Sequence, residues 1–80
     1  MDAKSAVAVR IIKLCCERGI ATNALATMSG ITPSTVYTLL DDRYKDVKIT
    51  TLKKICDGLN ITLREFFDSD LFDNLEQEIK

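Results

Sequence analysis

The tightest constraint in this chain is the four-residue run Gly30-Ile31-Thr32-Pro33. Glycine reaches positive φ at little cost and so stops a helix, whereas proline has no N–H to offer a helix interior. At the first helical position that missing N–H costs nothing, and a threonine just before it can cap the new helix. One helix must therefore stop and another start within four residues, which forces a sharp turn between two short helices. Gly19 ends any earlier helix. The helix before the turn is thus confined to about residues 22–29, two turns in all.

The remaining periodicity is also helical. Ala8, Ile11, Ile12, Cys15 and Cys16 recur at three- and four-residue spacing and define a first helix that closes at Gly19. Thr22 is the expected N-cap of the second, with Leu25, Ala26 and Ser29 inward. The third starts at Pro33 with Val36, Leu39 and Leu40 inward, leaves Ser34, Thr35, Tyr37 and Thr38 on other faces, and runs into an exposed polar loop, Asp41 to Asp46. Thr50 is the expected cap of a fourth helix carrying Leu52, Ile55, Cys56 and Leu59 at i, i+3, i+4 and i+7, with Asn60 taking the left-handed position after it. Thr62-Leu63-Arg64-Glu65 spells a capping box that opens a fifth helix and turns Leu63, Phe66 and Phe67 inward. Asp70 is a candidate cap for a sixth, with Leu71, Phe72, Leu75 and Ile79 as a thin apolar stripe. Strand-like alternation is absent. The expectation is an all-α fold of five helices, or six if the tail adds one, with residues 1–67 as one domain and residues 68–80 as an acidic tail or helix.

Composition narrows the function. Eighty residues bury only about 60% of the surface their unfolded chain exposes, which leaves little room for a substrate pocket. No histidine is present, and the carboxylates fall mainly on the loop and the tail, so the reading is not an enzyme, with no cofactor and no small-molecule ligand. The three cysteines, Cys15, Cys16 and Cys56, form neither a disulfide framework nor a Cys-x-x-Cys zinc hook; they are read as buried structural thiols of a reducing, cytoplasmic protein. No apolar run is long enough to span a membrane, and Arg10 and Lys13 interrupt the only stretch that could pass for a secretion signal. The net charge of −1 hides an asymmetry. Residues 1–60 hold nine Lys or Arg against six Asp or Glu, a balance of +3, and residues 61–80 hold two against six, a balance of −4. A polyanion would meet the first part.

Between Thr22 and Leu40, small Ala26 sits where two helices must cross, Gly30 and Ile31 make the turn, and Val36 and Leu39 lock the second helix down. With Ser29 and Thr32 these positions resemble the core and turn of the phage repressor and Cro-like (XRE-type) helix-turn-helix family. Ile49 to Cys56 and Leu59 to Phe67 resemble its fourth and fifth helices, so the resemblance covers about residues 4–67. It implies a transcriptional regulator, a repressor before an activator, that binds double-stranded DNA as a homodimer and lays residues 33–40 in the major groove. Ser34 and Thr38 match positions that read bases, with Tyr37 beside them. Thr22 and Asn23 match positions that hold phosphate, and Thr32, Thr35, Arg43, Lys45, Lys48 and Thr50 are further DNA-contact candidates.

The chain departs from the family pattern in three places. Thr22 stands where glutamine is common, Cys15 and Leu40 replace an arginine–glutamate pair, and the third helix carries none of the Arg, Gln or Asn that make bidentate base contacts. The acidic tail, through Phe72, Leu75 and Ile79, is the candidate dimer or partner surface. A second reading, a non-enzymatic protein-interaction module of accessory or antitoxin type on the same fold, draws on the acidic total and on that weak base-reading chemistry.

Overall fold

Three of the helices end in the same way. Gly19 (φ +64°), Gly30 (φ +68°) and Asn60 (φ +58°) are left-handed, and at each the next amide reaches back five residues: Ile20 to the Cys15 carbonyl (2.9 Å), Ile31 to Ala26 (3.1 Å) and Ile61 to Cys56 (2.9 Å). This closure satisfies carbonyls that would otherwise lack partners, and it turns an apolar residue onto the core. Ile20, Ile31 and Ile61 all pack there, half-buried. The Gly-Ile, Gly-Ile and Asn-Ile pairs therefore both stop helices and supply core.

The computed structural model describes residues 1–79. They form α1 (Ala3–Arg18), α2 (Thr22–Ser29), α3 (Pro33–Leu40), α4 (Ile49–Gly58) and α5 (Leu63–Phe67), then a single 3-10 turn, Asp70–Phe72, with no strand among the described residues. The all-α fold of five helices is as the periodicity requires. The sixth helix reduces to that 3-10 turn, capped by Ser69 rather than Asp70. Phe66, Phe67 and Phe72 pack edge-on or tilted, with ring centroids 4.9–6.0 Å apart. Such pairs contribute roughly 0.5–1.5 kcal/mol each beyond their burial. Phe67, expected inward, keeps 41% of its surface exposed. Further on, the Glu76 amide donates to the Met1 carbonyl (3.1 Å), which brings the tail back to the start of α1.

Val7, Ile11, Leu14, Leu25, Ala26, Val36, Leu39, Leu52, Ile55, Cys56, Leu59 and Phe66 form one core. The inward stripe of α1 runs through Lys4, Val7, Ile11 and Leu14. Ile12 and Cys16 fall on its flank and are exposed, Cys15 is half-buried, and Cys56 alone of the three thiols is enclosed. The expectation of three buried thiols thus holds only for Cys56, because the stripe lies further round the helix than the Cys15-Cys16 spacing suggests. Burial pushes the Cys15 and Cys56 thiols up from their ordinary value, against metal binding or nucleophilic use.

Basic side chains of α1 donate to the carbonyl ends of α3, α4 and α5, of which only α4 has a left-handed closure of its own. Lys4 Nζ donates to the Asp41 carbonyl at the end of α3 (3.1 Å). Arg10 donates through Nε to the Phe66 carbonyl (2.7 Å) and through Nη2 to Glu65 (2.9 Å) at the end of α5, and Arg18 donates to the Leu59 carbonyl at the end of α4. A cation at a helix C-terminus is favoured by the helix dipole, by about 0.3–1 kcal/mol at the surface.

The contact between α2 and α4 is the tightest. A Cβ added to Gly58 would lie 2.4 Å from Ser29 Oγ and 3.0 Å from backbone atoms of Met28 and Ser29. Ser29 Oγ is itself buried without a partner. Helix propensity alone would make Gly58→Ala stabilising by about 1 kcal/mol. The clash with backbone reverses the sign, and a net loss of about 1–3 kcal/mol in urea unfolding is expected. Ser29→Ala should recover part of that loss in the double variant; a Gly58→Ala protein as stable as the parent would contradict the packing.

Candidate nucleic-acid interface

The start of α3 is a knot of hydroxyls. Thr32 caps the helix: its Oγ1 accepts from the Thr35 amide (3.2 Å) and lies 2.9 Å from Thr35 Oγ1 and 3.1 Å from Ser34 Oγ. Thr38 Oγ1 donates to the Ser34 carbonyl one turn back (3.0 Å). That bond consumes the Thr38 proton, so what Thr38 presents outward is an oxygen acceptor and a methyl group. Ser34, Tyr37 and Thr38 are exposed, Tyr37 by 56%. Thr35 is half-buried.

Thr22 and Thr50 are not N-caps. The Ala21 carbonyl already accepts from Leu25 (2.9 Å), and the Lys48 carbonyl from Leu52 (3.1 Å), so the N-cap positions fall at Ala21 and Lys48, one and two residues before the threonines expected to fill them. Neither start has a side-chain cap, whereas α1, α3 and α5 are capped by Asp2, Thr32 and Thr62, the last within the expected capping box. The first-turn amides of α2 (Thr22, Asn23) and α4 (Ile49, Thr50) thus stand at positive helix ends with no side-chain acceptor, on the two helices that flank α3 in sequence.

A groove of about 380 Å³ joins α3 to α4. It is lined by Ile31, Thr35, Thr38, Leu39, Asp46, Val47, Lys48, Thr51 and Lys54. It brings the expected Thr35, Thr38 and Lys48 together, and adds Thr51 and Lys54, which the sequence reading missed. Lys54 follows Lys53 on the solvent side of an amphipathic helix, and only the packing of α4 distinguishes them: Lys53 pairs with Asp57 one turn on, while Lys54 faces the groove. Thr22 lies instead at a separate apolar groove of about 170 Å³, which Cys15 and Leu40 line together. Two partly buried apolar side chains thus stand where the family often has a charged pair.

Most basic residues are already engaged. Lys4, Arg10 and Arg18 hold helix ends, Arg43 pairs with Asp41 (2.7 Å) and Lys45 with Asp2 (3.4 Å). Of the nine in residues 1–60, Lys13, Lys48 and Lys54 have no carboxylate or carbonyl partner among the described residues, and of these Lys48 and Lys54 line the groove along α3. No group of His, Cys, Asp and Glu able to hold a metal ion is found among the described residues, and no helix there is long and apolar enough to cross a membrane.

These are the features of a helix-turn-helix DNA-binding domain. The family model of the Cro/C1-type helix-turn-helix DNA-binding domain matches residues 10–70, and the chain belongs to that family, which is generally non-enzymatic. Among solved structures, the prophage Lp1 protein 11 is similar: it is 29% identical, with a TM-score of 0.81 over 94% of this chain and 100% of that one. A comparison with curated proteins finds no significant match.

Asp41 anchors the loop after α3. Its carboxylate accepts from Arg43 Nε (3.1 Å to each oxygen), from Nη2 and from the Arg43 amide (2.9 Å), while its carbonyl accepts from Lys4 and Tyr44. The Arg43 guanidinium, with the Arg43 amide and the Lys4 charge adding to it, lowers the carboxyl from 3.8 to about 2. A value lowered on folding stabilises the fold above pH 4, and that contribution is lost as the pH falls from about 4 to about 2. The Asp41 carboxyl signal in carbon NMR should therefore titrate near pH 2 and return toward 3.8 in Arg43→Ala. A parent midpoint at 3.8 would mean the pair does not form.

Proposed function

We propose that this chain is a sequence-specific regulator of transcription that binds double-stranded DNA with α3 in the major groove and represses by occupying a promoter. The observation that carries this reading is the contrast in helix starts: α3 is capped by its own Thr32, while α2 and α4 on either side have open N-termini. Open amides at a helix start favour a phosphate. Two phosphates held at α2 and α4 would seat α3 between them.

On this reading Thr22 and Asn23 hold one backbone stretch. Ile49 and Thr50 amides, with Lys48, Lys54 and Thr51, hold another. Ser34, Tyr37 and Thr38 read the bases. Thr38, an acceptor with a methyl, suits the amino edge of adenine or cytosine, or a thymine methyl. Thr32 and Thr35 serve mainly to build the helix start. Arg43 and Lys45, bound to Asp41 and Asp2, contribute less than Lys48 and Lys54. Residues 1–67 are the DNA-binding unit of a cytoplasmic homodimer whose half-sites lie about one helical turn, ~34 Å, apart. The tail supplies the pairing surface through Leu75 and Ile79, the latter 88% exposed, since Phe72 is taken up by the aromatic cluster.

Duplex selection from random sequence, followed by binding at graded salt, tests this. Each lysine on a phosphate steepens the log–log salt dependence by about 0.9. Because each substitution removes a lysine from both half-sites of the dimer, Lys48→Ala and Lys54→Ala should each flatten the slope by about 1.8 on every duplex, with Arg43→Ala changing it less. Thr38→Val should leave the slope alone and shift the preferred base at one position per half-site. No duplex binding at 50 mM salt would refute the reading.

A further inference from the structure

The Lys4 side chain has no place in the interface, yet it is the most enclosed cation among the described residues, with 5% of its surface exposed. Its ammonium donates to the main-chain carbonyl of Asp41, 37 residues away, at the C-terminus of α3. That end differs from those of α1, α2 and α4. α1, α2 and α4 each close on a left-handed residue, whereas α3 exits through Asp41 in an extended conformation (φ −89°, ψ 119°), its last closing bond being the Asp41 amide to the Thr38 carbonyl (3.2 Å). The same Asp41 carbonyl accepts from the Tyr44 amide (3.1 Å), so one oxygen joins helix end, loop and α1. A second tie from the same turn of α1 runs beside it: Asp2, the α1 cap, pairs with Lys45 (3.4 Å).

We infer that Lys4 is a positioning residue for DNA reading: by gripping the open end of α3 it fixes how that helix sits, and hence where Ser34, Tyr37 and Thr38 point. The inference rests on the proposed use of α3 to read bases. A reading constellation needs its side chains held to about 0.5 Å. α3 has only eight residues, of which Val36 and Leu39 are buried. These two, with Leu40 packed half-buried against the core, fix which face is inward, but apolar contacts leave the carbonyl end of the helix without a partner and free to fray beside Thr38. An ammonium on the final carbonyl removes that freedom. Lys4 adds no charge to the interface, so losing it should cost selectivity and not the electrostatic part of binding.

The test uses Lys4→Met, which keeps length and loses the donor. Native-state amide exchange on the free protein should show the Leu39, Leu40 and Asp41 amides exchanging at least tenfold faster, while those of α4 stay as they were. The preference for the selected duplex over a random one should fall about tenfold at an unchanged salt slope, and Lys4→Arg should restore part of it. Unchanged exchange at α3, or an unchanged preference, overturns the inference and leaves the DNA-binding reading standing. A parent protein that discriminates between no duplexes overturns that reading, and the inference with it. Should Lys4→Met fail to fold, the parent decides: the Lys4 ammonium should give a nitrogen-15 signal whose hydrogen exchange is slowed relative to Lys48 and Lys54, and equal exchange in all three overturns the grip.

Discussion

Basic side chains of α1 on the carbonyl ends of α3, α5 and α4 are the interaction on which the arrangement depends. Helices this short lose a large share of their carbonyls to their ends, since the last four in each have no partner inside the helix. Left-handed closures serve α1, α2 and α4, and Arg18 adds a bond to α4 at Leu59. The ends of α3 and α5 have no such closure, and Lys4 and Arg10 serve them. These bonds join residues 37 to 56 apart in sequence. They orient the helices, which the core alone, made of few and mostly aliphatic side chains, would leave less determined.

The same arrangement alters what the charge means. A surplus of +3 in residues 1–60 suggests a diffusely basic face, yet three of its nine cations are tied to carbonyls and three more are paired with carboxylates. Exposed pairs such as Lys45 with Asp2 are weak because water and salt screen them, and a phosphate can compete for them. Carbonyl-bound Lys4 cannot be released without opening the end of α3. The basic residues thus divide into those that build the domain and the few that can meet an anion.

What was legible in the sequence is whatever acts over four or five residues. The Gly-Ile and Asn-Ile closures, the Thr32-Pro33 start and the Thr62–Glu65 box are each written in adjacent letters, and each has its expected geometry. The misplacements are of two kinds. Threonine favours the cap position, but at Thr22 and Thr50 a first-turn threonine has the same sequence neighbours, and only the Ala21 and Lys48 carbonyl bonds fix the start. Ile12, Cys16 and Phe67 were turned inward because periodicity gives the spacing of a stripe and leaves its centre to be set by packing. Lys54 at the groove and Lys4 at the helix end were missed because they act across the fold, where no local pattern points.

The composition of α3 gains a reason from this division. The helix carries no charged residue, and the hydroxyls of Thr32, Ser34 and Thr35 are tied together at its start. Charge lies instead on α4 and the loop, and open amides lie on the starts of α2 and α4. On the proposed reading, the elements that attract the DNA backbone are therefore separate from the element that reads bases. An uncharged reading head gains little from a phosphate placed wrongly and loses its hydrogen bonds when a base does not match, so its discrimination depends on geometry. Geometry depends in turn on how α3 is held, at its start by Thr32, along its inner face by Val36 and Leu39, and at its end by a lysine from the first turn of the chain.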